Sequence, residues 1–262
     1  MRIDAARPSA GARVFAWTGA LLFFASLSYF LFTYAVTFGE TNAERGGLPA
    51  EAGSYRPNAG GSTPGNDVAA VAIDVALFGI FALHHSIFAR ERIRAWVARV
   101  VPPRLERAAY VWAASLLFIL VCAAWQPLPG TAWRLPGAWR WLGYLAQGFG
   151  VWLTVRSAAI IDIFELGGVR QLHATSEAPS RPQEFKTIGP YGWVRHPIYS
   201  GWFLVVFAAP TMTATRLAFA AISSVYLLIA IPFEERSLRR SAGEAYGRYT
   251  RDVRWKLVPG LY

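Results

Sequence analysis

Residues 189–201 read GPYGWVRHPIYSG, and two adjacent carboxylates, Glu234 and Glu235, follow in the sequence FEERSL. Between them lie two short apolar runs, 202–211 and 217–233, which read as a tight pair of membrane helices. The chain then goes out and back, returning the carboxylates to the side of Arg195 and His196. The position before proline keeps His196 out of helical geometry, and Pro197 suits the first turn of the helix that follows. Carboxylates at a helix C-terminus meet the negative end of the macrodipole. Arg236, Arg239 and Arg240 could neutralise them from one helical turn away. That accounts for Glu235 better than for Glu234, which points back toward the helices. A buried carboxylate wants a cationic partner, and an ammonium or sulfonium ligand would serve. The other reading is interfacial: Arg195 binds lipid phosphate, while Tyr191, Trp193 and Tyr199 belong to an aromatic belt. Residue types and spacing leave both open.

Other polar groups interrupt apolar runs. His84 and His85 could act as a base or a ligand, but no Cys or carboxylate shares their run, so they make a poor metal site and no metal is expected. Arg156 could snorkel toward headgroups or line a cavity, since intramembrane charge is a functional signal by default. Asp162 and Glu165, one turn apart, could fold over a site or begin a solvated amphipathic turn. Gly167 and Gly168 form no phosphate loop, because no GxxxxGK[ST] follows a strand.

The elements that must position these groups are membrane helices. The 262 residues are 54% hydrophobic and 16% charged, with mean hydropathy +0.30, against about 25% charge in soluble domains. A bilayer core needs roughly 20 apolar residues per helix. The runs 14–38, 68–89, 108–125 and 139–161 supply four helices, and 202–211 and 217–233 the final hairpin. The expectation is a single all-α integral membrane domain over 1–262, with about six spans. Residues 14–161 make a four-helix part, and 162–262 a polar segment, hairpin and tail. The first run is too long for a signal-peptide core and reads as a retained span. Residues 40–67, rich in Gly and Pro, read as an exposed loop. The formal charge of +10 comes largely from Arg beside apolar runs, a topology signal that puts both termini and the 162–197 segment in the cytoplasm of a cell membrane. No soluble basic domain is present, so nucleic acid is not an expected partner. The single cysteine, Cys122, allows no disulfide framework.

GPYGWVRHPIYSGWF, then EERSL, GEAYGRYTRDV and a final Pro resemble the C-terminal half of the integral-membrane isoprenylcysteine carboxyl methyltransferase family and its relatives. ALHHSIFAR, VPPRLERAAYVWAASL, WQPLP, DIFELGGVRQL and AAPTMT are similar to the bacterial branch that includes the methanethiol S-methyltransferases. The resemblance implies S-adenosylmethionine as cofactor, in a cytoplasmic pocket capped by the loop before the hairpin. It implies cofactor contacts from Gln171, Tyr191, His196, Pro197, Ile198, Tyr199 and Glu234, and from residues near 183–186. Isoprenylcysteine enzymes carry an Arg four residues before the cofactor-binding Glu, where this chain has Ala230. That departure disfavours a prenylcysteine carboxylate and leaves a small thiol as the expected acceptor. The polar loop 173–182 is longer than the thiol branch leads one to expect.

A sulfonium cofactor suits a carboxylate at the pocket edge, and the faces of Tyr191, Trp193 or Tyr199 could add cation–π contact. Methyl transfer is a displacement that rests on alignment and water exclusion. A thiol acceptor must ionise; Arg195 and Arg156 would favour the thiolate, or His85 could take the proton. A lipid-borne acceptor, either a carboxylate or a phospholipid amine, remains the rival enzyme reading. A non-catalytic membrane protein of the same fold is the rival outside enzymes. Membrane lipids are the other expected partner, and the residues do not determine an oligomeric state.

Overall fold

The structure is a computed structural model that describes residues 8–40, 64–88, 93, 96–97, 99–173 and 187–262. Most of the loop expected at 40–67, and the stretch near 183–186 assigned to the cofactor, fall outside the described residues.

Helix α1, Ala10–Ala35, begins at Ser9, whose hydroxyl accepts from the Ala12 amide at 3.2 Å and so satisfies one free amide of the first turn. A 3-10 turn at Thr37–Gly39 extends it. α2 covers Pro64–Phe88 and α3 Glu106–Ala124. α4 covers Arg140–Ile161, and the single turn α5 covers Ile163–Leu166. They are separated at Asp162, whose carboxylate accepts from the Phe164 and Glu165 amides and pairs with Arg170. α6 covers Pro197–Phe207 and α7 Ala214–Asp252, with Pro232 inside α7 and a kink at Gly243, where φ is +49°.

Four stretches, Ala10–Gly39, Gly65–Ser86, Pro103–Ala124 and Ala214–Asp252, are long and apolar enough to cross a membrane; Pro197–Phe207 is a shorter apolar helix. Their outward faces carry exposed Leu21, Phe32, Ile80, Leu83, Leu116, Leu120 and Ile229, as lipid contact demands and a water-facing surface would not. α4 is as long as the span read from 139–161, but Arg140, Gln147 and Arg156 dilute its apolar character.

The penultimate helix begins at Pro197, whose ring is set for the first helical turn, so that turn precedes the apolar run read from 202. The helix ends at Phe207. The chain is also not wholly helical. Thr131–Arg134 (β1) pairs antiparallel with Thr211–Thr213 (β2), Trp133 opposite Met212. Threonines and an aromatic give this ribbon its β character. The Thr213 hydroxyl then caps α7, accepting from the Arg216 amide at 3.2 Å.

Phe219 on α7 is the centre of the core. It is fully buried, and the rings of Phe30, Tyr34, Phe38, Phe78, Trp125 and Trp202 lie 4.9–6.1 Å from it. Each such pair contributes about 0.5–1.5 kcal/mol beyond its burial. α4 and α6 approach through glycine: a Cβ on Gly150 would meet the Gly201 carbonyl at 2.7 Å, and one on Gly201 the Gly150 carbonyl at 2.6 Å. Small residues permit this backbone contact where lipid supplies no hydrophobic drive. Gln147 Nε2 seals it by donating to the Val205 carbonyl at 2.8 Å, and Trp202 Nε1 ties α6 to α7 by donating to Ser223 Oγ at 3.1 Å. The register of α6 against α7 is thereby set.

Candidate functional site

The Arg195–His196 step is held by backbone pairing from the far end of the chain. Pro197 at the first turn of α6 leaves His196 at φ −122°, ψ 61°, extended enough to pair outward. The amides of Arg195 and His196 donate to the Trp255 and Lys256 carbonyls, each at 2.9 Å, and Ser200 Oγ donates to the Leu257 carbonyl at 2.6 Å. The tail closes on itself, with the amides of Lys256, Leu257 and Val258 all donating to the Tyr262 carbonyl. The kink at Gly243 turns α7 so that Tyr246, Tyr249 and Val253 pack together and the Tyr249 hydroxyl donates to the Tyr191 carbonyl at 3.0 Å.

The adjacent carboxylates part company. Glu235 is sealed, accepting from Arg195 Nε at 2.7 Å, with their side chains 9% and 7% exposed. Arg195 Nη1 donates to the Val253 and Arg254 carbonyls. The ion-pair partner of Glu235 is therefore Arg195 and not the arginines that follow it: Arg236 lies over the Phe233 ring and Arg239 over Tyr246. Glu234 stays open, 44% exposed, with Oε2 accepting from the Tyr199 hydroxyl at 2.9 Å. Among the described residues Glu234 has no arginine or lysine partner.

His196 bridges the two, Nε2 lying 3.4 Å from Glu235 and Nδ1 3.7 Å from Glu234, and its ring stacks on Tyr199 at 5.4 Å and 11°. Burial pushes the Tyr191 hydroxyl above the ordinary phenol range, with Tyr249 and Glu234 adding to the shift. The Tyr191 hydroxyl thus stays protonated within electrostatic reach of Glu234. Tyr191, His196, Tyr199 and Glu234 form one group: a half-open carboxylate among aromatic faces, a fit for a bound cation. Pro197 is buried beneath it and Ile198 half-buried.

The remaining residues singled out from the sequence make no hydrogen bond, ion pair or ring contact with this group among the described residues. Gln171 sits on a 3-10 turn, Arg170–His173, beside Val169 and Leu172, which pack on Ala16, Ala20 and Ala108. Its Nε2 donates to the Glu165 carbonyl at 3.4 Å, and its Oε1 is buried without a partner among the described residues. Arg156 is on an exposed face of α4, without a polar partner among the described residues. His85 Nδ1 lies 2.6 Å from the Tyr110 hydroxyl. No three His, Cys, Asp or Glu converge among the described residues. Two surface depressions, of about 320 and 310 Å³, lie elsewhere, one lined by Gly39, Arg134 and Arg216, the other by Asp162 and Arg170.

Two features escaped the sequence reading. The tail clasp is made by backbone groups and leaves no residue signature. Tyr110, Ser86 and Tyr226 are polar atoms inside apolar runs, and that interruption was the signal available for them.

No protein-family model matches the chain, and no solved structure matches it significantly. Named relatives do. Methanethiol S-methyltransferase of Crocosphaera subtropica is 41% identical over 190 residues, 71% of this chain and 74% of that protein. Methanethiol S-methyltransferase of Mycobacterium tuberculosis is 38% identical over 194 residues, 70% and 76% respectively. Nurim of Homo sapiens is 28% identical over 186 residues, 66% and 69%. At these identities and coverages, the chain belongs to the methanethiol S-methyltransferase family.

Proposed function

We propose that this chain is a membrane methyltransferase that uses S-adenosylmethionine to methylate methanethiol at sulfur, giving dimethyl sulfide. The observation that carries the cofactor assignment is the half-open Glu234 carboxylate, held by the Tyr199 hydroxyl and left without a guanidinium or ammonium partner among the described residues. Bound there, S-adenosylmethionine would supply an electrophilic methyl group on a sulfonium for transfer to the thiol sulfur. Glu234 balances a positive charge of the bound molecule. Tyr191, His196 and Tyr199 present ring faces and polar tips around it, and Pro197 and Ile198 floor the cradle. Gln171, with a buried oxygen awaiting a donor, completes the set. Arg195 positions: three of its hydrogen bonds go to Glu235 and the tail, so it shapes the cradle instead of touching the thiol. The named relatives at 38–41% identity supply the acceptor. Ala230, where an arginine would meet an acceptor carboxylate, agrees with a small uncharged thiol.

The proposal includes about six crossings of the cell membrane, α4 and the short α6 supplementing the four long apolar segments. Both termini and the cradle then face the cytoplasm, where the arginine-rich connections gather.

Headspace gas chromatography on membranes carrying the chain, S-adenosylmethionine and methanethiol tests the reading. Dimethyl sulfide should form, and Glu234→Gln should weaken cofactor binding about 30-fold by calorimetry, near 2 kcal/mol. Wild-type cofactor affinity in that variant removes Glu234 from the cradle. Cofactor binding without dimethyl sulfide replaces the small thiol by a lipid-borne acceptor.

A further inference from the structure

A second polar cluster sits beside the cradle, and nothing described so far employs it. It joins three helices through α2, α3 and α7. The Tyr110 hydroxyl on α3 lies 2.6 Å from His85 Nδ1 on α2. The Arg107 guanidinium lies 5.0 Å over the Tyr110 ring, and its Nε is buried with no hydrogen-bond partner among the described residues. His84 stacks on the same ring at 5.5 Å and 13°, with both its nitrogens buried and likewise unpartnered among the described residues. Ser86 Oγ and the Tyr226 hydroxyl are 3.3 Å apart. The cluster reaches the cradle, because Tyr199 is within electrostatic range of Glu234, Tyr226 and Tyr110.

Resting on the thiol-methylation reading, we infer that Tyr110, His85 and Arg107 form the acceptor subsite, in which a small thiol loses its proton as its sulfur attacks. A simple alkanethiol is a weaker acid than a cysteine side chain and is almost wholly protonated at neutral pH, while the thiolate is the nucleophile. A proton acceptor is therefore needed near the reacting sulfur. Glu235 is sealed against Arg195, and Glu234 is committed to the cofactor. The Tyr110–His85 pair is a hydrogen-bonded proton acceptor that the cradle itself does not use. The thiol proton passes to the Tyr110 oxygen while the Tyr110 proton passes to His85 Nδ1, so the phenol is regenerated and the imidazole becomes imidazolium. Arg107 lies close enough to both to matter electrostatically. It stabilises the sulfur anion and discourages a lasting charge on His85. His85 lies in the last turn of α2, and it releases the proton at that end of the helix. The sulfur electron pair forms the new sulfur–carbon bond, and the pair of the broken bond returns to the former sulfonium sulfur.

The test compares methanethiol with benzenethiol, a far stronger acid, for the wild type, Tyr110→Phe and His85→Asn in the full chain, from pH 6.5 to 9.5. With methanethiol both variants should lose roughly 100-fold in kcat. The loss should shrink as pH rises and the thiol ionises by itself, and should fall to a few-fold with benzenethiol. Cofactor affinity by calorimetry should stay at the wild-type value, which also reports that the variants are folded. Equal losses for both thiols, a pH-independent loss, wild-type turnover or a weakened cofactor overturns the relay. A wild-type chain that binds cofactor and methylates neither thiol overturns the thiol reading itself, and the relay with it.

Discussion

Two arginines close the two ends of the α6–α7 pair, and they do so differently. Arg195 sits where α6 begins and meets a carboxylate, Glu235, plus two carbonyls of the tail. Arg216 sits where α7 begins; its guanidinium lies 5.6 Å over the Tyr34 ring, and among the described residues its side chain donates to the carbonyls of Tyr34 at 2.9 Å, Ala35 at 2.7 Å and Thr211. Tyr34 and Ala35 are at the C-terminal end of α1, where a helix leaves carbonyls unsatisfied and its dipole favours a cation. Gly39 leaves the space Arg216 occupies; a Cβ there would collide with the guanidinium. Arg216 thus fastens three elements into a fixed corner. The Arg195 end uses the same device but brings two carboxylates to one cation. One is consumed and Glu234 is left over. The surplus charge, not the buried pair, makes that end the proposed site.

The comparison can be broken at either arginine. Arg195→Leu strands Glu235 as a buried charge and should cost about 3–5 kcal/mol of stability, read from thermal unfolding in detergent. A small loss would mean that the tail clasp holds without the ion pair. Arg216→Lys keeps the charge but loses the fork that reaches three carbonyls, and should cost about 1–2 kcal/mol with cofactor affinity unchanged. A weakened cofactor in that variant would show the two ends to be coupled through α7, against the division drawn here. Lys256→Ala removes an exposed contact, Nζ to the Tyr262 ring at 4.4 Å and to its hydroxyl at 3.1 Å, and should cost about 0.5 kcal/mol. A larger effect would shift the clasp from backbone to side chains.

Much of the scaffold was legible because apolar runs and their arginine borders need no partner to be read. α1, α2, α3 and α4 fall within a few residues of the runs at 14–38, 68–89, 108–125 and 139–161. The return of an acidic pair toward Arg195 and His196 was legible too, since two short apolar runs must carry the chain out and back. The β1–β2 ribbon was not, because its strands are three and four residues long and pair across a wide gap in sequence. Arg216 gave no sign of its role either, because its partners are main-chain carbonyls from α1 and β2.

The residue types decided that a cation-seeking carboxylate would stand beside an arginine, a histidine and tyrosines. Tertiary structure alone decided which carboxylate. Successive helical residues point about 100° apart, so Glu234 and Glu235 cannot both face Arg195. The choice between them is the rotation of α7 about its axis, set by Phe219 among its six rings and by Trp202 on Ser223. Those contacts lie three to four turns from the glutamates they orient, and no local stretch of sequence contains them.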